Sequence, residues 1–395
     1  MKIRATTAED RDAFVDTLFA AFARFPVSAD ETWSALELDR GLFATAEDGR
    51  PVGTAAAYSF ELTLPGEIVV PASGVTAVGV LPTHRRRGAL SAMMRRQFAD
   101  FRARGEILSV LLASEALIYR RFGYGPATYT HRLTVQRHQA AFAVPRTASG
   151  SIELLRRADC GGLLEEVYDR YRRARPGALS RPHRWWAAGA GQPPVSEASR
   201  YIALHRDAEG VPDGYACYSH TAPSTLTVDE TIAVDDVVST ALARFLLEHD
   251  LITQVVFNQC PPDHPLRWQL EDFRAAEVGG DTDWLWVRLL DIPRALTTRG
   301  WFADGELVLD VTDAALGEHG RHLLTVRNGE ADCVPTDREP DLSLDVSDLG
   351  SIYLGGTAPS TLVRAGHIRA HRPSAVAVAD ALFRGERPPH CLHWF

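Results

Sequence analysis

The chain has 395 residues, of which 45% are hydrophobic and 24% charged, a composition typical of a globular protein with two or three domains. The 51 acidic and 42 basic side chains give a formal net charge of −9, which disfavours nucleic acid as a partner and modestly favours a cationic one. Residues 1–25 contain no continuous apolar run, so we expect no signal peptide, no membrane span and a cytoplasmic location.

Five cysteines are widely spaced along the chain, at Cys160, Cys217, Cys260, Cys333 and Cys391. They form no CxxC pair and have no histidine at the spacing of a metal site. We therefore predict reduced thiols and no bound metal.

Periodicity and turn signals predict a strand-rich unit in the first third of the chain. The predicted strands are residues 2–5, 42–45, 52–62, 75–80, 107–113 and 127–135. The predicted helices are residues 6–25, 90–104 and 115–122.

Residues 83–89, THRRRGA, join a strand to an amphipathic helix. The first backbone N–H groups of a helix have no intrahelical acceptor, and three consecutive arginines, Arg85 to Arg87, place cations beside them. Gly88 allows the backbone to approach a ligand closely. The pattern favours a pyrophosphate-binding loop, with a solvated basic turn as the alternative.

The spacing Arg85-x-x-Gly88-x-Leu90 resembles the R/Q-x-x-G-x-G/A loop of GNAT-type acetyltransferases, although Leu90 replaces the third small residue. Together, PTHRRRGAL and the downstream ASEALIYRRFGYGPATY resemble the actinobacterial Eis family, N-acetyltransferases that act on aminoglycosides and lysines. The resemblance implies an α+β GNAT fold, acetyl-CoA as co-substrate, a primary amine or lysine side chain as acceptor, and a homohexamer. A non-catalytic acyl-CoA sensor is the alternative.

The resemblance also implies site residues. It places the cofactor contacts at Val78, Gly79, Val80, Arg86, Arg87, Gly88, Ala89, Leu90, Ser91, Ser114 and Glu115. The strand residues would bind the pantetheine arm and the acetyl carbonyl, and the loop would bind the pyrophosphate. Leu112 replaces a histidine that aminoglycoside-modifying relatives carry, which leaves aminoglycoside acetylation open.

Tyr119 stands at the family's motif position for the general acid. A phenol has a reference pKa near 10, which is close to that of an alkyl thiol, so proton transfer to the departing thiolate is nearly balanced. Tyr124 is the rival, and a purely structural role remains open for both tyrosines.

The chain closes on the aromatic run Cys391-Leu-His-Trp-Phe395, where an exposed tail would usually be polar. By resemblance, the α-carboxylate of Phe395 is the general base. Desolvation would raise its pKa from a reference value of about 3.3 to 3.7 toward the working range. The alternative is a tail that only packs. The segment with Phe25, Trp33 and Leu36 would either cover the acceptor site or form core.

The middle of the chain repeats the pattern of the first unit. IELLRRAD at 152–159 echoes IRATTAED at 3–10, and DAEG before GYACY echoes AEDG before GTAAAY. The position of the pyrophosphate loop, however, reads IAVDDV at 232–237, with acids and no glycine. We predict an active GNAT domain at residues 1–145 and a degenerate GNAT-like domain at residues 146–290. The alternative is that the second domain has a catalytic site of its own.

From residue 291 the pattern changes. Strands at 305–311, 322–327 and 342–346 and helices at 347–353 and 374–383 resemble the sterol-carrier-like C-terminal domain of the Eis family, which implies an α/β domain at 291–395. In that family the domain supplies no lipid chemistry. A lipid-binding carrier is the alternative.

Overall fold

The structure of the protein is a computed structural model, and it describes residues 1–23, 35–145, 150–156, 159–187 and 201–395. Phe25 and Trp33, the aromatic residues expected near the acceptor, lie outside these ranges. In the described ranges, no helix has the length and apolar character needed to cross a membrane. All five cysteines lie in the described ranges, where they are buried and form no disulfide.

Within the described ranges the chain forms both β-strands and α-helices. The strands are β1 Lys2–Ala5, β2 Leu42–Thr45, β3 Pro51–Leu64, β4 Ile68–Val80, β5 Leu108–Leu112, β6 Gly125–Pro126, β7 Tyr129–Gln136, β8 Ser151–Arg156, β9 Tyr201–Arg206, β10 Pro212–Ala222, β11 Thr225–Ala233, β12 Gln254–Cys260, β13 Ala276–Asp283, β14 Leu285–Leu289, β15 Gly305–Asp313, β16 Glu318–Arg327, β17 Glu330–Pro335, β18 Leu342–Asp345 and β19 Arg369–Ala370. The α-helices are α1 Arg11–Ala21, α2 Ala89–Ala103, α3 Ala116–Arg120, α4 Leu163–Arg173, α5 His183–Ala187, α6 Asp236–Leu247, α7 Leu266–Gln269, α8 Ile292–Thr298, α9 Val346–Tyr353, α10 Pro359–Arg364 and α11 Pro373–Phe383.

The first sheet has seven strands in the order β1-β2-β3-β4-β5-β14-β6. Helix α2 packs on it through a stripe that includes Met94, Phe98 and Phe101, which are all buried. These residues recur every three or four positions, as one face of an α-helix requires. The opposite face of the same sheet is covered by α1, where a Cβ on Gly79 would lie 2.9 Å from Ala21 Cβ.

The second sheet has the order β13-β7-β12-β11-β10-β9-β8, so the two sheets exchange a strand. The expectation that residues 127–135 complete the first unit is wrong, because β7 pairs with β12 and β13 in the second sheet. Its place beside β5 is taken by β14, which is buried over its whole length. Apolar alternation identifies a strand but carries no information on its partner. The domain limits at 145 and 290 remain a prediction.

The third sheet, β17-β16-β15-β18-β19, follows from residue 305. Its buried face includes Leu307, Leu309 and Leu324, which belong to the same apolar cluster as the β14 residues Leu285 and Val287. Helix α9 lies directly on β14. The third domain therefore shares a continuous core with the first sheet.

Candidate active site

The first sheet opens where β4 and β5 part. The two strands are parallel neighbours over three residue pairs, ending at Gly74 and Val110. Beyond Gly74, β4 pairs with β3 alone among the described strands. The register of β3 and β4 shifts between Thr54 and Ala56, and Ala77 has a φ of 51° there. Because of this bulge, Val78, Gly79 and Val80 run along the gap, and one edge of their backbone is available to a ligand.

The basic loop connects this edge to the N-terminus of α2. Gly88 is the N-cap residue, with a φ of 85°, and nothing lies within 4 Å of the position that a Cβ would occupy. Arg86 and Arg87 are exposed, and the first turn of α2 contains no acidic residue. The first-turn N–H groups of Ala89 to Ser91 therefore face an open, positively charged space that suits an anion.

Arg85 has a different environment from the other two arginines. Its guanidinium donates to the carbonyl oxygen of Ala21 at 2.7 Å and to that of Val80 at 3.2 Å. These bonds fasten the loop to α1 and β4. The sequence pattern placed all three arginines at the anion, whereas the structure leaves Arg86 and Arg87 open and makes Arg85 part of the scaffold.

The other side of the gap is formed by the segment after β5. Ser114 and Glu115 are exposed there, and Glu115 is the N-cap residue of α3. Tyr119, on α3, is 7% exposed. Burial raises the pKa of Tyr119 above its usual value, although a side-chain hydrogen bond with Ser114 acts in the opposite direction. A raised pKa keeps the phenol protonated at neutral pH, as a proton donor requires.

Tyr124 is fully buried, and its hydroxyl lies 2.7 Å from Oγ of Ser109. Burial raises its pKa as well, against a hydrogen bond with Ser109. Its ring packs edge-on against Tyr119, with 6.3 Å between the ring centroids. The hydroxyl is thus already engaged inside the core, which favours a structural role for Tyr124.

The other face of the sheet carries an aromatic cluster over Gly74. The ring of Phe395 lies 5.0 Å from that of Phe60, and a Cβ on Gly74 would be 2.4 Å from Phe60 and 3.1 Å from Phe395. Tyr58 and Trp185 complete the cluster, with 4.6 Å between their ring centroids. Only glycine at residue 74 permits this packing. Local sequence patterns carry no signal for these ring contacts, because they join residues that are far apart in the chain.

Tyr119 and Phe395 lie on opposite sides of the opened sheet. Tyr119 belongs to the apolar cluster of Val75 and Ala57, whereas Phe395 packs on Gly74 and Phe60. Successive side chains of a strand point to opposite faces, so neighbouring residues 74 and 75 separate the two groups. The gap between β4 and β5 begins at this point and connects the two faces.

Comparison with known proteins agrees with this architecture. Residues 2–127 and 177–289 each match a model of an acetyltransferase (GNAT) domain, and residues 292–392 match a sterol carrier protein domain. N-acetyltransferase Eis of Mycobacterium tuberculosis is 36% identical over 390 residues, covering 93% of both proteins. The chain belongs to the Eis family. An uncharacterized N-acetyltransferase of Streptomyces griseus is 37% identical over 361 residues, 87% of each. The crystal structure of Eis1 from Mycobacterium abscessus superposes with a TM-score of 0.87, at 35% identity and full coverage of both chains.

Membership of the Eis family confirms the predicted fold class, two GNAT-like domains followed by a sterol-carrier-like domain. It also establishes the protein as an N-acetyltransferase, hence an acyltransferase with an amine acceptor. GNAT enzymes use acetyl-CoA.

Two residues from the sequence analysis lie on the face of the sheet that carries Phe395. Leu36 is buried in the cluster of Phe60 and Trp185, and Leu112 packs against that cluster from β5.

Proposed function

We propose that the protein transfers the acetyl group of acetyl-CoA directly to primary amines, either polyamines of the aminoglycoside type or lysine side chains. The observation that carries this proposal is the parting of β4 and β5 after Gly74, with an open helix N-terminus at one end and Phe395 at the other. A thioester that follows the free edge of β4 would have its pyrophosphate at the loop and its acyl group at the gap.

The cofactor contacts follow from this path. The backbone of Val78 to Val80 would bind the pantetheine arm and polarise the acetyl carbonyl. The side chains of Arg86 and Arg87, with the N–H groups of residues 88–91, would neutralise the pyrophosphate. Ser114 and Glu115 would bind the cofactor from the β5 side.

The chemistry needs one acid and one base. The amine nitrogen attacks the thioester carbonyl carbon, the C–S bond breaks, and the Tyr119 hydroxyl gives its proton to the departing thiolate. The α-carboxylate of Phe395 takes the proton that the attacking ammonium must lose. The position of the Phe395 ring on Gly74 supports this role, since that glycine is the last residue of β4 that pairs with β5.

A cationic acceptor is favoured by the surface beside Phe60. A cavity of about 400 Å³ adjoins this ring and includes the carboxylates of Glu61, Glu165 and Asp169. Arg172 pairs with Glu61 at 2.8 Å and with Asp169 at 2.6 Å. The three carboxylates outnumber Arg172 in this cavity, and the excess negative charge beside Phe60 would attract ammonium groups. Whether aminoglycosides are accepted depends on the space beside Leu112.

The test is release of free CoA thiol from acetyl-CoA in the presence of single acceptors: polyamines, aminoglycosides, lysine peptides and, as a control, the same acceptors with blocked amines. Thiol release that requires a free amine supports the proposal. Acetyl-CoA binding in calorimetry with no turnover on any acceptor would favour the non-catalytic sensor instead. Light scattering on the same sample tests the homohexamer that the Eis family resemblance implies.

A further inference from the structure

The second domain contains a buried ion pair that no step of the proposed chemistry uses. Arg181 donates two hydrogen bonds to Glu230, at 3.2 and 2.8 Å, and neither side chain is exposed. Tyr215 donates to the same carboxylate at 2.6 Å. The guanidinium also lies over the rings of Tyr168 and Trp186, at 4.2 and 4.7 Å. Burying two charges is costly, so a pair of this kind is a weak source of stability.

The Nε–H group of this guanidinium reaches the C-terminal tail. Nε of Arg181 donates to Nδ1 of His393 at 3.2 Å. His393 is completely buried, and burial, reinforced by the charge of Arg181, keeps its pKa well below the usual value. A neutral imidazole that accepts at Nδ1 carries its proton on Nε2. The ion pair therefore fixes one tautomer and one orientation of this ring.

The orientation of His393 matters for the first domain. Its ring packs edge-on against Phe60 and Trp185, with 5.0 and 4.8 Å between centroids, and Phe395 follows two residues later. The indole of Trp284 donates to the His393 carbonyl oxygen at 3.2 Å. The tail is thus held between the two GNAT-like domains, with Arg181 bound to the side chain of His393 and Trp284 bound to its carbonyl oxygen.

The ion pair lies where the second sheet opens. β11 and β12 are parallel neighbours up to Val228 and Phe257, and Glu230 follows two residues later on β11. In the first domain the corresponding opening is the proposed cofactor path. In the second domain the cavity beyond this point is lined by the tail residues Arg387 and His390.

We propose that Arg181 and Glu230 are positioning residues for the reaction of the first domain: through Nδ1 of His393 they hold the tail so that Phe395 stays on Gly74. This inference rests on the proposed function, in which the Phe395 carboxylate is the base. The second GNAT-like domain then has a defined task, to supply a fixed, buried charge that orients a residue of the other domain.

Two substitutions of His393 separate its two contacts. His393→Phe keeps a ring against Phe60 and Trp185 but removes the acceptor for Arg181. His393→Asn removes the ring but offers Oδ1 near the position of Nδ1. We expect His393→Phe to lower kcat about 10-fold or more, with the KM for acetyl-CoA nearly unchanged, because a base displaced by a fraction of an ångström loses its alignment. His393→Asn should recover part of kcat.

The double variant Arg181→Met/Glu230→Gln removes both charges together and leaves no unpaired ion in the core. It should reproduce the kcat loss of His393→Phe. Arg387→Gln is the matched control: Arg387 lies on the same tail and pairs at 3.2 Å with both Asp236 and Asp263 of the second domain, but it is 43% exposed and does not contact His393. Its kcat should stay within about 2-fold of the unmodified protein.

A second measurement follows the tail without relying on turnover, namely the rate at which a carboxypeptidase releases Phe395. The His393→Phe and double variants should be trimmed about 10-fold faster, since their tails open more often. Unchanged trimming and full kcat in both variants would overturn the inference, as would a kcat loss in Arg387→Gln equal to theirs. If the unmodified protein acetylates no amine, the proposed function fails, and trimming still decides whether the pair holds the tail.

Discussion

The two GNAT-like domains share the same opening in the sheet but differ in what surrounds it. In the first, the parallel strands part after Gly74 and Val110, and in the second after Val228 and Phe257. Each has a register shift on the neighbouring antiparallel pair, close to the point where the strands separate. The backbone therefore forms a cleft between parallel strands in each of the two domains.

The helix that follows each opening accounts for the difference. In the first domain, its N-cap is Gly88, which has no Cβ and follows three exposed arginines, of which Arg86 and Arg87 are not bonded to the scaffold as Arg85 is. In the second domain, the N-cap is Asp235, whose carboxylate accepts from the backbone N–H of Val238 at 2.8 Å. A carboxylate at the N-cap both uses a free donor and repels a phosphate. On the proposed function, the fold therefore provides the cleft in both domains, and a few residues of the loop determine whether that cleft can bind the cofactor.

The largest effect is expected from an extension of the chain after Phe395. If the first domain uses the Phe395 carboxylate as its general base, two added residues such as Gly-Ser should move that base away. We expect kcat to fall about 100-fold or more, which is the contribution of a general base. Acetyl-CoA affinity in calorimetry and the melting temperature should change little. The same two residues added before Met1, which is exposed, provide the control. A C-terminally extended protein with full turnover would show that the base lies elsewhere.

Next in size is Tyr119→Phe, which removes the proposed proton donor and keeps the ring. We expect kcat to fall about 100-fold, with acetyl-CoA affinity retained. Tyr124→Phe is the matched control, because its hydroxyl contacts Ser109 inside the core. It should cost about 1 kcal/mol of stability and leave kcat nearly unchanged. The opposite ranking of the two kcat values would assign the acid to Tyr124.

Much of the first domain follows from local patterns. Helix α2 was predicted at 90–104 and spans Ala89–Ala103, because its apolar stripe and the glycine before it are both local signals. β4 was predicted from residue 75 but begins at Ile68. The sequence pattern does not predict the first half of β4, because that half contains Pro71 and proline is unusual in a strand. It is tolerated here because pairing with β5 starts only at Ala72.

The features that could not be predicted depend on distant parts of the chain. One such feature is the exchange of strands β7 and β14 between the two sheets, because the residues of a strand do not specify which strand it pairs with. The cluster of Phe60, Trp185 and Phe395 is another. Arg181 and His393 are separated by 212 residues, so no periodicity relates them. The sequence therefore predicts the part of the site that a single loop forms. It does not predict the part where two domains and the tail meet.

A smaller effect, confined to the cofactor, is expected for Gly88→Asp. The position is open, so the new side chain meets no neighbour, but its carboxylate would stand where the pyrophosphate binds. Acetyl-CoA affinity should fall about 10-fold relative to Gly88→Asn, which has the same size and tolerates the same φ without the charge. Equal affinities for the two variants in calorimetry would contradict an anion site at this helix.

The smallest effect is expected in the second domain, for Asp236→Asn. Asp236 stands in the first turn of α6 and pairs at 3.2 Å with Arg387. If acidity alone kept acetyl-CoA out, removing this charge would begin to restore a second site. We expect no such gain, because Asp235 still caps the helix and the tail residues Arg387 and His390 still line the opening. Calorimetry should give one acetyl-CoA per chain in the unmodified protein and in Asp236→Asn, with affinities within about 2-fold of each other. Two acetyl-CoA molecules per chain, or binding that survives Gly88→Asp undiminished, would show that the second domain also takes the cofactor.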